Sequence, residues 1–418
     1  MTERLLQFIW QFQYFNKGDL QTTTGEAIQI ISPGTYNSNQ GPDFLDAKIK
    51  IGKTTWAGHV ELHLLSSDWN KHKHQHDKNY NNVVLHVVGE DDFPDYNMPV
   101  LNLKNRIAII LLQKYEDLMN TKGFIPCEKS ILSVKPIVLQ SWKERLLAER
   151  LIRKSAIVET LLNQNNQHWE ETFWWLLARN FGIKINADAF EAMARSIPLN
   201  ILAKHKNQIH QLEALLMGQA NLLNEKFTDD YSILIQREYE FYKSKYTLRP
   251  GTYTPFFLRM RPGNFPTVRL AQLAMLIHQS EHLFSKIKET DSVKDVKKWL
   301  DVTANDYWHY HYRFDEPSAF KKKNLGAAMI DNILINTVCT VLFAYGHFNG
   351  EQRHKDKALQ WLDEITAELN SITKGFLQAG LQNKNAHDSQ ALIELKNEYC
   401  GKKKCLDCAI GNALLKSI

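Results

Sequence analysis

The stretch that decides the fold of the first part of the chain runs from Gly41 to Val88. It reads GPDFLDAKIKIGKTTWAGHVELHLLSSDWNKHKHQHDKNYNNVVLHVV. From Trp56 to Leu64 apolar and polar residues alternate, and a period of two predicts a half-buried strand. The run Ala47–Ile51 alternates in the same way, and Gly52-Lys53 separates the two runs. The pattern therefore predicts two strands joined by a tight hairpin.

The predicted hairpin brings Asp43 to the strand edge that carries Glu61 and His63. A loop of Ile51–Lys53 places Asp43 opposite Glu61, and a loop one residue longer or shorter moves its partner by one position. Two carboxylates and a third polar side chain at such an edge can hold Mg²⁺ or Mn²⁺. A site of this kind supports attack of an activated water on a phosphodiester. In the alternative interpretation, Asp43 lies in a simple turn and Glu61 and His63 are solvated.

These residues resemble the motif of the PD-(D/E)xK nuclease superfamily. Pro42-Asp43 matches the PD element, and Glu61-Leu62-His63 matches the E-x-K element, with histidine where the superfamily has lysine. A helix, a strand, a Pro-Asp turn into a second strand and then a third strand follow the same order as in that superfamily. The resemblance implies a nuclease-like mixed sheet at the N-terminal side of the chain.

The resemblance also implies roles for the residues of the motif. Asp43, Glu61 and the backbone carbonyl of Leu62 are implied as metal ligands for Mg²⁺ or Mn²⁺. His63 is implied as a catalytic residue in the position of the lysine that positions water or steadies the phosphate. Because histidine replaces lysine, a positive charge is missing, and two lysines of the neighbouring strand are candidates to supply it: Lys48 and Lys50.

The whole chain further resembles an uncharacterised bacterial family, a domain of unknown function. This resemblance covers more of the chain than the nuclease motif does, but it implies no activity. The matching segments are GPDFLDAKI, HVELH, SSDW, RMRPGNFPTVRLAQLA and CGKKKCLDCAIG.

Composition sets broad limits on the class of protein. The chain has 418 residues, a formal net charge of +5 and a hydrophobic content of 44%, enough for a substantial core. The mild basic excess is compatible with a nucleic-acid partner, which we expect to be DNA. Five cysteines in a chain of this length do not form a disulfide scaffold. No stretch is read as a membrane span or a signal peptide, so we expect a cytoplasmic protein without membrane association.

The pattern of the chain changes at about residue 130. Residues 1–130 combine helix, strand and polar segments and predict the mixed-sheet domain. Residues 131–418 show helical periodicity almost throughout and predict a larger all-α domain with a C-terminal cysteine cluster. The predicted fold class is therefore α/β (α+β).

A histidine-rich segment follows the predicted hairpin. His72, His74 and His76 are spaced two residues apart, which matches no common zinc framework. One interpretation is a solvated loop, and a second is a metallohydrolase that uses His72 and His74. In a third, His76 and Tyr80 face the site and contact phosphate.

An arginine-rich turn stands out in the helical part. Arg259, Arg261 and Arg269 flank a Pro-Gly-Asn turn that leads into a predicted helix. Arginines beside a helix N-terminus form an anion site, and phosphate is its natural ligand. The alternative is a structural role, in which the arginines bind carbonyls and carboxylates within an irregular loop.

The cysteines form the last motif. Cys400, Cys405 and Cys408 lie within nine residues, and thiolates at this spacing suit zinc or an iron–sulfur cluster. Cys127 is the best candidate for a fourth ligand, because Cys339 lies in an apolar helical run. The arrangement resembles that of iron–sulfur nucleases of the RecB-like branch. The alternative is four reduced cysteines without a metal.

Two function hypotheses follow from these motifs. The first is a metal-dependent nuclease that hydrolyses DNA phosphodiester bonds with Asp43, Glu61 and His63. The second is a nucleic-acid-binding or scaffold protein that keeps the nuclease fold but has lost catalysis. Divalent-metal binding by Asp43 and Glu61 distinguishes the two.

Overall fold

The computed structural model describes residues 1–93, 98–251 and 253–416. The chain divides into two compact units. Unit 1 contains Met1–Trp142, Gln378–Leu381 and the chain from Leu395 onward, and unit 2 contains Lys143–Leu377 and Gln382–Glu394. A mixed sheet on the N-terminal side and a largely helical remainder confirm the predicted α+β class.

Among the described residues of unit 1, six strands form one mixed sheet. They are β1 Ile28–Ser32, β2 Thr35–Tyr36, β3 Phe44–Ile51, β4 Thr54–Leu65, β5 Val83–Glu90 and β6 Val100–Asn102. The order is β1-β3-β4-β5-β6, and β2 also pairs with β3. Pairing is antiparallel from β1 to β4 and parallel from β4 to β6. The change of direction therefore occurs at β4, the strand that carries Glu61 and His63.

The turn between β3 and β4 is shorter than predicted. It consists of Gly52-Lys53 alone, because Ile51 already pairs with Thr54. A two-residue turn shifts the register by one residue relative to the predicted three-residue loop. If this register continued unchanged, Asp43 would lie opposite the residue after Glu61.

A β-bulge in β3 cancels that shift. Between Phe44 and Ala47 the pairing with β4 changes register, and Phe44 pairs with Val60. The bulge contains Asp46, whose φ is +57°, a left-handed conformation that aspartate tolerates better than most residues. Asp43 therefore continues the register toward Glu61, the partner that a loop of Ile51–Lys53 predicted.

The helices of unit 1 begin with α1, which packs beside β4. The Thr2 hydroxyl caps α1 by accepting the Leu5 N–H at 3.2 Å, and the helix buries Leu6, Phe8 and Trp10. The helices up to the division between the units are α1 Glu3–Gln11, α2 Asp68–Lys71, α3 Ile109–Asn120 and α4 Pro136–Gln164, and the division falls within α4.

Unit 2 is helical apart from one short two-stranded ladder among its described residues. Its helices pack around a single apolar core that includes Phe181, Phe190, Tyr239, Trp308 and Trp361. In chain order its elements are α5 Trp169–Phe181, α6 Ile183–Arg195, α7 Leu199–His205, α8 Ile209–Gln219, α9 Asp230–Tyr246, α10 Pro266–Gln279, α11 Leu283–Glu289, α12 Val293–Leu300, α13 Asp306–His309, β7 His311–Arg313, β8 Glu316–Pro317, α14 Ala327–Ile333, α15 Cys339–Phe348, α16 Gln352–Glu364, α17 Ser371–Gln378 and α18 Ala386–Glu394.

The C-terminal segment belongs to unit 1, although the sequence pattern assigned all of residues 131–418 to a second domain. It contains a π-helical stretch Leu395–Cys400 and α19 Ala409–Lys416. The Tyr14 hydroxyl donates to Asn412 Oδ1 at 2.8 Å, and Arg4 pairs with Asp407 at 2.5 Å. These contacts join residues 398 and 403 positions apart, which helical periodicity cannot indicate.

One helical segment of the described chain, Ala327–Phe348, is long and apolar enough to cross a membrane by length and composition alone. This finding corrects the expectation that no stretch reaches that length. The segment comprises α14, a π-helical stretch Leu334–Val338 and α15. Its most apolar window is 72% buried inside the protein, as is usual for a central helix of a large core.

A fully buried carboxyl group lies in the core of unit 2. Glu213 accepts hydrogen bonds from the Tyr231 hydroxyl at 2.7 Å, the Trp308 indole at 2.9 Å and the Asn305 amide at 3.0 Å. Burial raises the pKa of Glu213 from 4.5 to about 7, and the three donors oppose that rise. Folded unit 2 therefore holds a proton on Glu213 at a pH where an unfolded chain has released it.

We expect this proton to make stability fall as the pH rises from about 4.5 to about 7. Over that window the native state binds more protons than the unfolded state, so the free energy of unfolding decreases with pH. The decrease due to Glu213 is on the order of 3 kcal/mol. Urea unfolding of Glu213→Gln should show a flatter pH dependence than the wild type. Glu225→Gln, at an exposed position of the same unit, is the control and should follow the wild type; equal slopes for all three proteins would contradict the expectation.

Candidate metal site at the end of the hairpin

Asp43 and Glu61 meet where β3 begins and β4 reaches the middle of the sheet. The Asp43 N–H donates to Glu61 Oε2 at 3.0 Å, and the Leu62 N–H donates to Asp43 Oδ2 at 3.1 Å. Gln7 of α1 donates its side-chain amide to Asp43 Oδ1 at 2.8 Å. The Asp43 N–H, at the start of β3, therefore binds the Glu61 carboxylate, and the Leu62 N–H of β4 binds the Asp43 carboxylate. Residues from three elements converge on this point.

The backbone of Leu62 faces the same edge. Its N–H points at Asp43, and the N–H and C=O of one residue in a strand point to the same side. The Leu62 carbonyl thus lies on the side of Asp43, where the sequence resemblance implies a ligand.

His63 is buried, with 1% of its surface exposed, and Glu61 is 5% exposed. The alternative in which these two residues are solvated is therefore wrong. His63 Nδ1 lies 2.9 Å from His86 Nε2, and His63 Nε2 lies 3.2 Å from His72 Nδ1. Glu61 Oε1 lies 3.5 Å from His63 Nε2 and also 3.5 Å from His74 Nε2.

These distances match a set of ligands around one cation. Metal–ligand bonds of about 2.1 Å place neighbouring donor atoms roughly 3.0 to 3.6 Å apart at coordination angles between right angles and trigonal. The separations between Glu61 Oε1, His63 Nε2, His74 Nε2 and His72 Nδ1 given above fall in this range. Among the described residues, the ligand atoms of His63, His72 and His74 all lie within 4.8 Å of one another.

Burial governs the protonation of the site. It raises the pKa of Glu61 to about 9, with the nearby Asp43 charge adding to the effect, and it raises the pKa of Asp43 to about 6. Burial, together with their histidine neighbours, lowers the pKa of His63 to about 2 and that of His86 to about 4. At neutral pH the imidazoles of His63 and His86 are therefore neutral, and Glu61 holds a proton unless a cation replaces it.

Aromatic rings form the wall of the site. Tyr80 stacks on His74 with ring centroids 3.8 Å apart, and Trp69 contacts the rings of His74 and His86. Burial, followed by the nearby Glu61 and Asp43 charges, raises the pKa of the Tyr80 hydroxyl to about 12. The site opens to solvent beside His72, which is exposed.

Two residues predicted to supply charge to this site lie outside it. Lys48 and Lys50 pair with Ala57 and Thr55, so each is at least four residues along β4 from Glu61, a separation of about 13 Å or more. They therefore do not supply the charge of the absent lysine. His76 is exposed in a short 3₁₀ turn.

His86 was missed by the sequence analysis. It lies in the apolar run of β5, where periodicity indicates only a buried strand. Parallel pairing places His86 directly beside Glu61 in the sheet. A histidine within an otherwise apolar strand is a weak signal of a functional site. Only the pairing of β5 with β4 shows that His86 lies at this site.

A second cluster in unit 1 contains the four cysteines singled out from the sequence. Cys127, Cys400, Cys405 and Cys408 line one small cavity. The π-helical stretch carries Cys400, a 3₁₀ turn carries Cys405, and Cys127 follows Pro126 before α4. Close packing requires glycine at 411, because a Cβ there would lie 2.1 Å from the Cys405 carbonyl oxygen.

Cys127, Cys405 and Cys408 are buried, Cys400 is partly exposed, and the thiols influence one another. Burial, together with the neighbouring cysteines, raises the pKa of Cys127 and of Cys405 to about 12. Burial also raises the pKa of Cys408, whereas hydrogen bonds from Gly411, Ile410 and Trp142 lower it. Although all four line one cavity, no three of these described sulfurs lie within 4.8 Å of one another.

The arginine-rich turn lies in unit 2. Arg261 and Arg269 line one cavity with Lys321, whereas Arg259 is exposed and does not line it. The structure therefore brings together two of the three predicted arginines.

Comparison with known proteins identifies the family but no activity. The model of the family described as "Protein of unknown function (DUF2851)" matches residues 3–371, which confirms the resemblance to an uncharacterised family. The matched range contains the hairpin, the histidines and the arginine-rich turn, and ends before Cys400. No curated protein and no solved structure matches the chain. Because the match spans well over half of the 418 residues, the chain belongs to the DUF2851 family.

Proposed function

We propose that this protein is a metal-dependent nuclease that hydrolyses DNA phosphodiester bonds at the site beside Glu61. The observation that carries the proposal is that Glu61 Oε1 lies 3.5 Å from the imidazole nitrogens of His63 and His74, while His72 Nδ1 lies 3.2 Å from His63 Nε2. Asp43 lies beside Glu61 and is held by main-chain and side-chain donors. Buried carboxylates and neutral imidazoles at this spacing favour a divalent cation over solvent.

The donor set favours Mn²⁺ over Mg²⁺. Mg²⁺ prefers oxygen donors only, whereas imidazole nitrogens suit transition metals, and Mn²⁺ accepts both. Glu61, His63, His72 and His74 are the residues that would hold the cation, with Asp43 and the Leu62 carbonyl at its edge. A divalent cation supplies activation of a water and neutralisation of phosphate charge.

The protein's own residues prepare the site. With a proton on His63 Nδ1 donated to His86 Nε2, His63 Nε2 keeps its lone pair toward Glu61. This second contact orients the ring, as outer partners of metal-binding histidines usually do. The high pKa of Glu61 means that it releases a proton when a cation binds.

The sheet supports the nuclease interpretation. The initial helix α1 and the antiparallel strands β1, β3 and β4 follow the order that the PD-(D/E)xK resemblance implies. The difference from that motif is that buried His63 replaces a lysine. Exposed Lys73 and Lys78 on the segment after β4 lie near the open side at His72 in sequence and provide positive charge for a phosphate backbone.

Replacing Glu61 tests the function directly. Glu61→Gln removes one ligand charge but keeps the size of the side chain, so we expect at least about a 100-fold loss of Mn²⁺-dependent DNA cleavage. Circular dichroism should show an intact fold, and DNA binding should be retained. Glu90→Gln, at an exposed position of β5, is the matched control and should cleave like the wild type. If no DNA is cleaved by the wild type with Mn²⁺, Mg²⁺ or Zn²⁺, the non-catalytic alternative is the better one.

Replacing His63 with lysine distinguishes its two candidate roles within the same assay. As a metal ligand, His63 cannot be replaced by an ammonium group, so His63→Lys should lose Mn²⁺ binding in calorimetry together with cleavage. Retained binding and cleavage would show instead that His63 acts in the position of the superfamily's lysine.

We also propose that the four cysteines hold an iron–sulfur cluster with a structural role. A zinc ion bound at about 2.3 Å would bring tetrahedral thiolates to about 3.8 Å from one another, whereas no three of these described sulfurs meet even at 4.8 Å. A polynuclear cluster holds its cysteine sulfurs farther apart than a single zinc ion does, which supports a cluster over zinc. N–H donors at Cys408 stabilise a thiolate there.

Metal analysis tests this cysteine site without reference to cleavage. Protein purified without oxygen should contain iron and sulfide and show charge-transfer absorption in the visible range. Cys408→Ala should lose the iron and unfold at a lower temperature, whereas Cys339→Ala, in the core of unit 2, should keep the iron. Zinc at one equivalent per chain, or no metal at all, would contradict the cluster.

A further inference from the structure

A buried guanidinium without an acidic partner lies at the start of α10. Arg269 is only 8% exposed. Its Nη1 donates to Gln272 Oε1 at 3.0 Å and its Nη2 donates to Asn264 Oδ1 at 2.6 Å. Its Nε has no hydrogen-bond partner, and within residues 1–93, 98–251 and 253–416 no carboxylate forms an ion pair with it.

The surroundings hold the Arg269 side chain in place but do not neutralise it. Gln272 donates its own amide N–H groups to the Lys323 and Asn324 carbonyls at 3.2 and 3.1 Å, so its oxygen is aimed at the guanidinium. Asn264 lies in the 3₁₀ turn before the helix. Neutral amides leave a buried charge uncompensated, and such a charge is costly unless an anion pairs with it.

The cavity beside Arg269 carries further positive charge. Arg261 and Lys321 also line it, together with Tyr312, and no carboxylate of the described chain is among its lining residues. Arg269, in the first turn of α10, is the residue of that helix that lines the cavity, and the helix has no side-chain cap. The dipole at such a helix end favours an anion.

We propose that this cavity binds the phosphoryl group of a phosphate ester, with Arg269 as the buried anchor and Arg261 and Lys321 as outer contacts. Guanidinium groups bind phosphate oxygens in a two-point geometry that neutral amides cannot replace. The cavity volume is about 560 Å³. Arg269 also borders a second cavity of about 610 Å³. This space exceeds the needs of a bare phosphate ion, so the ligand is an ester that carries an organic group.

The proposal does not rest on the nuclease function, because the cavity is lined by residues of unit 2 alone. A phosphate ester can be a free nucleotide or a unit of a nucleic-acid backbone. The two sources share the phosphoryl chemistry and differ in the effect of salt. Backbone binding weakens steeply with salt because counterions are released.

Binding to the full-length chain tests the site. Calorimetry with inorganic phosphate, with a nucleoside monophosphate and with a short single-stranded DNA should be performed on the wild type and on three variants of exposed residues. Arg261→Ala and Lys321→Ala should each weaken binding of the tightest of these probes by about tenfold or more. Arg259→Ala, from the same turn but outside the cavity, is the matched control and should stay within about twofold.

The probes distinguish the two sources. If the monophosphate binds most tightly, the ligand is a nucleotide. If DNA binds most tightly, and the salt dependence of its binding is flatter in Arg261→Ala than in the wild type, the ligand is a nucleic-acid backbone. Arg269→Gln should abolish binding in either case, and the exposed variants keep the test valid if this variant fails to fold. The proposal is overturned if the wild type binds none of the probes, or if Arg261→Ala and Lys321→Ala bind them as the wild type does.

Discussion

The buried carboxylate of Glu61 and the half-buried carboxylate of Asp43, each held by a main-chain N–H of the opposite strand, are the constraint on which unit 1 depends. Asp43 can reach Glu61 only because the bulge in β3 offsets the two-residue turn, and Gln7 can reach Asp43 only because α1 packs beside β4. Carboxylates this close repel when both are ionised, and burial weakens the screening that water would provide. The site is therefore stable either with protons or with a cation, and the second state is the one that the proposed function requires.

The same constraint accounts for a histidine rather than a lysine at position 63. An ammonium group there would be a buried charge surrounded by imidazoles, with Glu61 alone beside it as a counter-charge. A neutral imidazole is buried at little cost, binds His86 with one nitrogen and presents the other to Glu61. The departure from the E-x-K pattern is thus consistent with a nitrogen-containing metal site.

Buried charge is compensated in different ways across unit 2. Glu394 is 2% exposed and accepts hydrogen bonds from Arg150 and Arg153, so opposite charges balance there. Glu213 keeps its proton among neutral donors. Arg269 is compensated in neither way. A guanidinium does not lose its proton near neutral pH, and the hydrogen-bond partners of Arg269 are uncharged amides. This contrast distinguishes Arg269 from an ordinary structural arginine.

The sequence by itself determined the elements that depend on neighbouring residues. Period-two alternation showed β3 and β4, Gly52-Lys53 showed their turn, and the cysteine spacing showed a cluster. Only the tertiary structure decided which distant residues complete each site. Parallel pairing of β5 places His86 beside Glu61, the segment after β4 folds back so that His74 reaches Glu61, and the C-terminal chain returns to Cys127. The physical reason is that periodicity reports which face of an element is buried, whereas contacts between elements depend on packing and strand order that no local pattern contains.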